Sequence, residues 1–482
     1  MSRTLQSEYT AVVIGSGPNG LAAAIHLAEQ KVGDVLVLEA SKTPGGGTRT
    51  KELTLPGFHH DVCSAIHPMG LASPFLSTLP LADHGIDWVH PRFPAAQPMD
   101  DGRAAVQERE IDATAERLGA RDGRAYRRIY EPFTRNAKEL YGDLLGPIGI
   151  PKHPFKMAGF GLPALRSARS LAFGKFETEE GRALFSGHAA HSVQPLEHPL
   201  TSAIALMLST TGHSVGWPMA KGGSQSIANA MVSYFEKLGG EVVCDHRVDS
   251  IEDLPKAKAY IFDTSPAAMS KICGERLPSS YRNHLKRYRY GPGIFKVDWA
   301  LNDPIPWINE DCRGAGTVHV GGTFDEVAAA ESDAWNGRHS ERPFLILSQP
   351  TVFDPTRAPE GKHTAWAYCH VPNGSTEDML DRIESQIERY APGFRDCILA
   401  ANTMSTEDMA SYNANNVGGD VVGGIADWRQ LYTRPAVRWN PYSTPAKDIY
   451  ICSASTPPGA GVHGMCGYHT AESAMRRLRL RG

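Results

Sequence analysis

Residues 9–40, YTAVVIGSGPNGLAAAIHLAEQKVGDVLVLEA, constrain the fold of this chain more than any other stretch. A β-branched run over 9–14 turns at Gly15, a helix is predicted from there to about Gln30, and a strand returns over Val35–Glu39. This is a βαβ unit whose first turn carries Gly15, Gly17 and Gly20, with Ser16, Pro18 and Asn19 between them. The first glycine makes the turn, the second lets backbone approach a pyrophosphate, and the third lets helix pack on strand. The diphosphate then rests on the helix N-terminus, where unpaired N–H groups and the helix dipole favour an anion. Glu39 ends the second strand about 20 residues on, placed to accept from both ribose hydroxyls and to repel a 2′-phosphate.

The next stretch, EASKTPGGGTRT, brings Ala40, Gly45, Gly46, Gly47, Thr48 and Arg49 close behind Glu39. A second glycine cluster so soon suits a chain that wraps a longer cofactor such as FAD, with Arg49 near its diphosphate; a simple nicotinamide dehydrogenase needs no such cluster. A third cluster, STPPGAGVHGMCGYHTAESAMRRL, crowds Gly459, Gly461, Gly464 and Gly467 just before the last expected helix. Glycine belongs where backbone takes a positive φ or comes very close to something else.

A chain of 482 residues exceeds what one core supports, so two or more lobes are expected. A net charge of −4 gives no basis for a nucleic-acid partner. The eight cysteines contain no C-x-x-C pair, so neither a metal site nor a disulfide framework is expected, and a reducing, cytoplasmic setting is. The N-terminal MSRTLQSEYT has no apolar signal core, and no apolar run reaches the ~18–20 residues that span a bilayer. Residues 152–176, KHPFKMAGFGLPALRSARSLAFGKF, hold Lys152, Lys156, Arg166, Arg169 and Lys175 and no acid. They are read either as a peripheral contact with an anionic membrane or as a solvated helical cover.

After Gly70 the βα rhythm stops, and 72–215 read mainly as helices and loops. An amphipathic helix in SQSIANAMVSYFEKLGG, a strand in EVVCDHRV and another in AKAYIFDT restore it. IFKVDWAL and HTAWAYCHV alternate as strands of an antiparallel sheet, with Trp366, Tyr368 and His370 on one face of the second. Met379, Ile383 and Ile387 form a core stripe on the following helix. The expected cofactor lobe is therefore discontinuous, over 1–70, 216–285 and 430–482, with a substrate lobe over 71–215 and 286–429.

Together, VVIGSGPNGLAAA, LEASKTPGGGTRT, GFHHDVCSAIHP, GWPMAKGGSQSIANAM and ICSASTPPGAGVHGMCGYHTA resemble the phytoene desaturase-related FAD oxidoreductases, from about residue 10 to 475. The resemblance implies an α/β fold: a glutathione reductase-type, Rossmann-like FAD domain with a mixed-sheet and helical substrate domain. It implies that Gly15, Gly17, Gly20, Glu39, Gly45, Gly46 and Arg49 bind FAD and that Val248, in the strand after GGEVVCD, holds the adenine through its backbone. Gly461 and Val462 would present N–H groups to the flavin, and the last helix would aim its N-terminus at the flavin's N1/C2=O edge. Where many flavoproteins of this fold carry an acid, the chain has Ser453 and Ser455.

The expected chemistry is hydride transfer from an apolar or amphipathic small molecule to the flavin. His67 and His463 are the candidate proton-handling residues. His191, Trp217 and His319 are candidate pocket lining. His188 and His191 lack the further ligands a metal needs, and Cys63 and Cys466 read as small buried packing groups. Two alternatives share the fold, a non-catalytic binder of a lipid or prenyl tail and an amine oxidase-like flavoenzyme. The latter commonly shows an aromatic pair facing the flavin, and none is evident in the sequence. Oligomeric state is left open.

Overall fold

A computed structural model describes residues 5–147 and 149–480; residues 1–4, 148 and 481–482, which include both ends of the expected cofactor lobe, lie outside it. A five-stranded parallel sheet runs in the order Ile449–Ile451, Lys256–Phe262, Glu8–Ile14, Val35–Leu38, Glu241–Val243. Parallel strands covered on both faces need apolar residues at consecutive positions. Val12, Val13, Leu36 and Val37 are accordingly all fully buried. Helix Pro18–Glu29 follows the first strand, its proline at the first helical position where a missing N–H costs nothing. The strand expected over EVVCDHRV stops at Val243. Asp245 turns to a φ of 56°, and the Asp245 and His246 N–H groups donate to Ser41 and Glu39 carbonyls instead of to a sheet neighbour. Val248 thus lies beyond the strand.

The second sheet has seven strands, in the order Ile398–Met404, Gly293–Leu301, His363–Val371, Leu345–Ser348, Ala315–Val320, Phe93–Pro98, Ala104–Gln107. It is mixed, not wholly antiparallel, because Phe93–Pro98 runs parallel to Ala315–Val320. Those two N-terminal strands, 93–98 and 104–107, fall in the region read mainly as helix and loop. FPAAQP is buried at every position and shows no alternation to read. One face of the sheet packs Phe295, Val297, Trp299, Ala365, Ala367 and Cys369 against Met379, Ile383 and Ile387, the core stripe the sequence marks. The opposite face carries Lys296, Asp298, Trp366, Tyr368 and His370, with helix Phe324–Trp335 packed on it and its Glu331 2.8 Å from His370 Nδ1.

The C-terminal glycines divide into two groups. Helix Met465–Leu478 crosses Pro18–Glu29 so closely that a Cβ on Gly467 would overlap the Asn19 carbonyl. A Cβ on Gly464, at φ 68°, would meet the Ala22 Cβ at 2.8 Å. These two glycines serve helix packing, and only Gly459 and Gly461 lie in the turn facing the cavity described below. Gly467→Val is expected to cost about 3 kcal/mol of stability, the upper end for overpacking a core that cannot shift, as read by denaturant unfolding. Unchanged stability would mean that the two helices can separate freely.

Candidate cofactor and substrate site

One cavity of about 1220 Å³ extends from the C-terminal ends of the parallel strands to the seven-stranded sheet. Gly15, Ser16, Gly17, Pro18 and Asn19 line it at one end, with Ala40, Gly46 and Thr48 beside them. Gly20 and Gly45 sit behind this wall. A Cβ on Gly20 would strike the Gly15 carbonyl, so Gly20 permits helix–strand contact, while Gly45, at φ 128°, shapes its turn. Gly46, at φ 56°, lies where a Cβ would come within 2.9 Å of the Gly17 Cα. Two glycine backbones thus face each other across a cradle that any side chain would fill.

Glu39 is buried at 7% exposure and accepts four hydrogen bonds. Its Oε2 takes the Ser16 N–H at 3.0 Å and the Ser16 hydroxyl at 2.6 Å, and its Oε1 takes the Ser41 N–H at 2.8 Å and Arg49 at 3.0 Å. Arg49, expected from the sequence near the diphosphate, lines the cavity with its guanidinium held by Glu39. Its Nε donates to the Thr43 carbonyl, and the guanidinium lies 5.5 Å from the Tyr412 ring. Asp263, which the motif reading missed, accepts the Gly20 N–H at 2.9 Å and lies 2.6 Å from where a Gly17 Cβ would be. Burial pushes its carboxyl up to about 7, against the Gly20 hydrogen bond and with help from the Glu39 charge. Its place, just after the strand Lys256–Phe262, comes from long-range sheet pairing, which no local motif signals.

The remaining sequence candidates separate at the other end. His67 lines the cavity, its Nε2 2.9 Å from the Ser224 hydroxyl, and burial lowers its pKa to about 4. His463 does not line it. That ring is buried and takes the Met465 N–H on Nδ1 at 3.0 Å, capping the last helix, and burial lowers it to about 4. One N–H of the helix N-terminus is thereby taken within the protein, and the turn Gly459–Val462, with Ser455 before it, faces the cavity. Val248 lines the end near Glu39. His191 and Trp217 line the far chamber, whereas His319 is fully buried behind His191, with the two Nε2 atoms 2.9 Å apart.

Trp366 and Tyr368 stack in parallel planes, 5.8 Å between centroids, and both line the chamber. No aromatic pair is evident from the sequence, although the i, i+2 spacing in HTAWAYCHV signals this one. Burial pushes the Cys63 and Cys466 thiols up to about 11, which keeps them out of the thiolate form. Among the described residues, no group of three or more His, Cys, Asp or Glu side chains could hold a metal.

Behind His67 lies a buried ionic cluster. Arg357, 1% exposed, donates to Asp61 at 2.8 Å, and Asp61 also accepts the Ser224 N–H at 2.8 Å and the Thr50 hydroxyl at 2.7 Å. Burial opposes ionisation of Asp61, but the Arg357 charge together with the hydrogen bonds from Ser224, Arg357 and Thr50 outweighs it and holds the carboxyl below its ordinary range. Its contribution to stability is therefore complete above the ordinary carboxylate pKa and lost only as pH falls through the lowered one. Asp61→Asn should cost about 3–5 kcal/mol at neutral pH, because Arg357 is left buried and uncompensated. The double variant Asp61→Asn/Arg357→Met should recover much of that loss in denaturant melts. Equal losses in both would refute the pairing.

Comparison with known proteins places this geometry. Residues 13–77 match the family model described as an NAD(P)-binding Rossmann-like domain. Pyridine nucleotide-disulfide oxidoreductase domain-containing protein 2 of Mus musculus is 24% identical, over 98% of this chain and 94% of its own length. The lycopene-forming phytoene desaturase of Pseudescherichia vulneris is 24% identical, over 96% of this chain and 98% of its own. An oxidoreductase from Methanosarcina mazei superposes with a TM-score of 0.66 at 15% identity, over 97% of this chain and all of that one, which shows the fold. The chain is thus a Rossmann-like α/β protein related, along nearly its whole length, to the phytoene desaturases and to pyridine nucleotide-disulfide oxidoreductase domain-containing protein 2.

Proposed function

We propose that the chain is an FAD-dependent oxidoreductase that removes hydride from an apolar or amphipathic small molecule. The observation that carries this is the continuity of one cavity from a glycine cradle beside Glu39 to a chamber walled by Trp217, Trp366 and Tyr368. A dehydrogenase needs the cofactor's reactive end and the substrate in a single water-poor space. Relatives named for desaturating phytoene support the same chemistry. The residues fit a flavin dinucleotide: Glu39 for ribose hydroxyls, Gly17 and Gly46 for the diphosphate, Val248 near the adenine, and Gly461 and Val462 against the ring system. FAD, when bound, supplies the hydride acceptor. The chain orients the substrate against it, and the aromatic walls exclude water.

The stacked pair Trp366–Tyr368 favours a second reading, an amine oxidase-like enzyme. An ammonium substrate would need a nearby carboxylate. The acids lining the cavity are Glu39 and Asp263 at the glycine turns and Asp143 elsewhere, where it holds the His153 and Lys152 N–H groups. The apolar substrate is therefore preferred. Anaerobic addition of apolar alcohols and alkenes to the flavin-loaded protein should bleach its visible absorption. Bleaching by primary amines alone would select the second reading, and a chain that cannot be loaded with FAD would point to a binder.

Asp263 adds a pH dependence. Its carboxyl, raised to about 7, is charged above that pH and then repels the diphosphate. FAD affinity should rise about tenfold from pH 8.5 to pH 6, a coupling worth one pKa unit or ~1.4 kcal/mol. Asp263→Asn should flatten the profile. A profile that persists in this variant would place the titrating group elsewhere.

The apolar substrate would enter from an anionic lipid surface. Helix Pro154–Ala164 turns Met157 and Phe160 to the cavity, yet exposes Phe155 (92%) and Leu162 (72%) on its other side, with Leu165 (57%) one turn on. Exposed apolar surface flanked by Lys152 and Arg166 suits such lipid. Arg169 does not contribute, since it is held by Glu197 and Asp325. Cosedimentation with phosphatidylglycerol vesicles should fall several-fold in Lys152→Glu/Arg166→Glu, at about 1 kcal/mol per basic residue, and again in Phe155→Ser. Sedimentation unchanged by both variants would make the segment a plain cover.

A further inference from the structure

His191 lines the cavity with one ring nitrogen engaged by His319, and its surroundings decide whether the other nitrogen donates or accepts. The ring is fixed edge-on to Trp217, 5.8 Å between centroids at 84°, and its Nε2 lies 2.9 Å from His319 Nε2. Burial drives the His191 pKa to about 3 and holds His319 well below its ordinary value, so both rings are neutral. Of two neutral imidazoles sharing one hydrogen bond, one Nε2 donates and the other accepts.

The direction is set one step further back. The Nδ1 of His319 is buried with no hydrogen-bond partner, and so is the Oε1 of Gln97. The Gln97 amide is oriented by its Nε2, which donates to the Gly322 carbonyl at 2.6 Å, so Oε1 can only accept. Both orphan atoms lie beside the point where a Cβ on Gly187 would sit, each too close to admit one, and they make no hydrogen bond to each other. A lone pair on His319 Nδ1 would confront the lone pairs of Gln97; a proton there is attracted to them. His319 therefore carries its proton on Nδ1 and accepts at Nε2, His191 donates from Nε2, and the Nδ1 of His191 is left as an acceptor. That Nδ1 makes no hydrogen bond among the described residues, on a residue that lines the chamber beside Trp366, Tyr368 and Ile346.

We propose that Gln97, His319 and His191 form a tautomer relay that makes His191 Nδ1 a neutral hydrogen-bond acceptor, selecting an apolar substrate that carries a hydroxyl group. A ligand without a donor leaves this nitrogen dehydrated and unpaired, which is how a buried polar site rejects an analogue. A cationic ligand is not favoured, because the relay holds no charge. Gln97 is a positioning residue, acting only through the two rings. The inference names the polar end of the substrate in the reading above and rests on that reading only for the word substrate.

The test is ligand binding rather than turnover. Displacement of anilinonaphthalene sulfonate from the FAD-loaded protein is measured for 1-dodecanol and for its methyl ether, which lacks the donor. The alcohol should bind about tenfold more tightly relative to the ether in the wild type than in His191→Phe, the scale of one net hydrogen bond. Ether affinity should be nearly unchanged by that substitution. Gln97→Met, which removes the acceptor that orients the relay, should reduce the alcohol preference several-fold without touching the ligand. Equal alcohol-to-ether ratios in wild type and His191→Phe would overturn the proposal, and so would an undiminished ratio in Gln97→Met. Should His191→Phe fail to fold, the Gln97→Met ratio decides alone. If the protein holds no FAD, the same displacement on the protein as purified still reads this site, so the two failures remain distinct.

Discussion

The N-terminus of the first helix is the point against which other parts of the chain pack from three directions. Gly46 faces Gly17, the Asp263 carboxylate lies beneath Gly17 and Gly20, and Gly467 brings the last helix onto the Asn19 carbonyl. Each contact leaves no room for a Cβ. The turn 45–49, the end of strand 256–262 and the C-terminal helix are thereby locked around one helix end. The cavity opens where they meet. A helix N-terminus held this way is fixed in geometry, with its Gly20 N–H already taken by Asp263, and a preformed site binds an anion with little reorganisation.

Away from that point the protein relies on buried charge. Lys296 and Asp298 are both fully buried and paired on one strand, with His60 Nδ1 3.6 Å from Asp298. Burial pushes Asp298 up to about 6, against the pull of Lys296. Arg357, in the segment between the sheet strands Leu345–Ser348 and His363–Val371, ties the hairpin 50–61 to the seven-stranded sheet through Asp61 and the His59 carbonyl. Such pairs add little net stability over an apolar core, but breaking one partner is costly, so they specify geometry. Here the geometry specified is that between the strand pair leading to His67 and the sheet bearing Trp366 and Tyr368.

Much of this is legible in the sequence where the signal is local. The first βαβ unit, its three glycines and Glu39 can be read because each meaning depends on neighbours within about 30 residues. Alternation in IFKVDWAL and HTAWAYCHV reveals two strands, and even separates Trp366 and Tyr368 from the core face. What is not legible depends on contacts across the chain. Nothing near Asp263 says that it will lie under Gly17. His463 sits among the glycines of the last turn, yet its ring folds back to cap Met465. Gly464 and Gly467 share a cluster with Gly461 in sequence but serve a helix crossing, because the first and last helices come together only in the folded protein.

The central claim is that the cavity between the glycine turns and the aromatic chamber is a flavin site. The most direct measurement is the stoichiometry of FAD bound to the full chain, by absorbance after reconstitution and removal of free cofactor, for wild type and for Gly46→Val. The wild type should hold one FAD per chain. Gly46→Val, whose side chain would fill the cradle against Gly17, should hold little while retaining its circular dichroism. A wild-type chain that binds no FAD, or a folded Gly46→Val variant loaded to the same level as the wild type, would contradict the account.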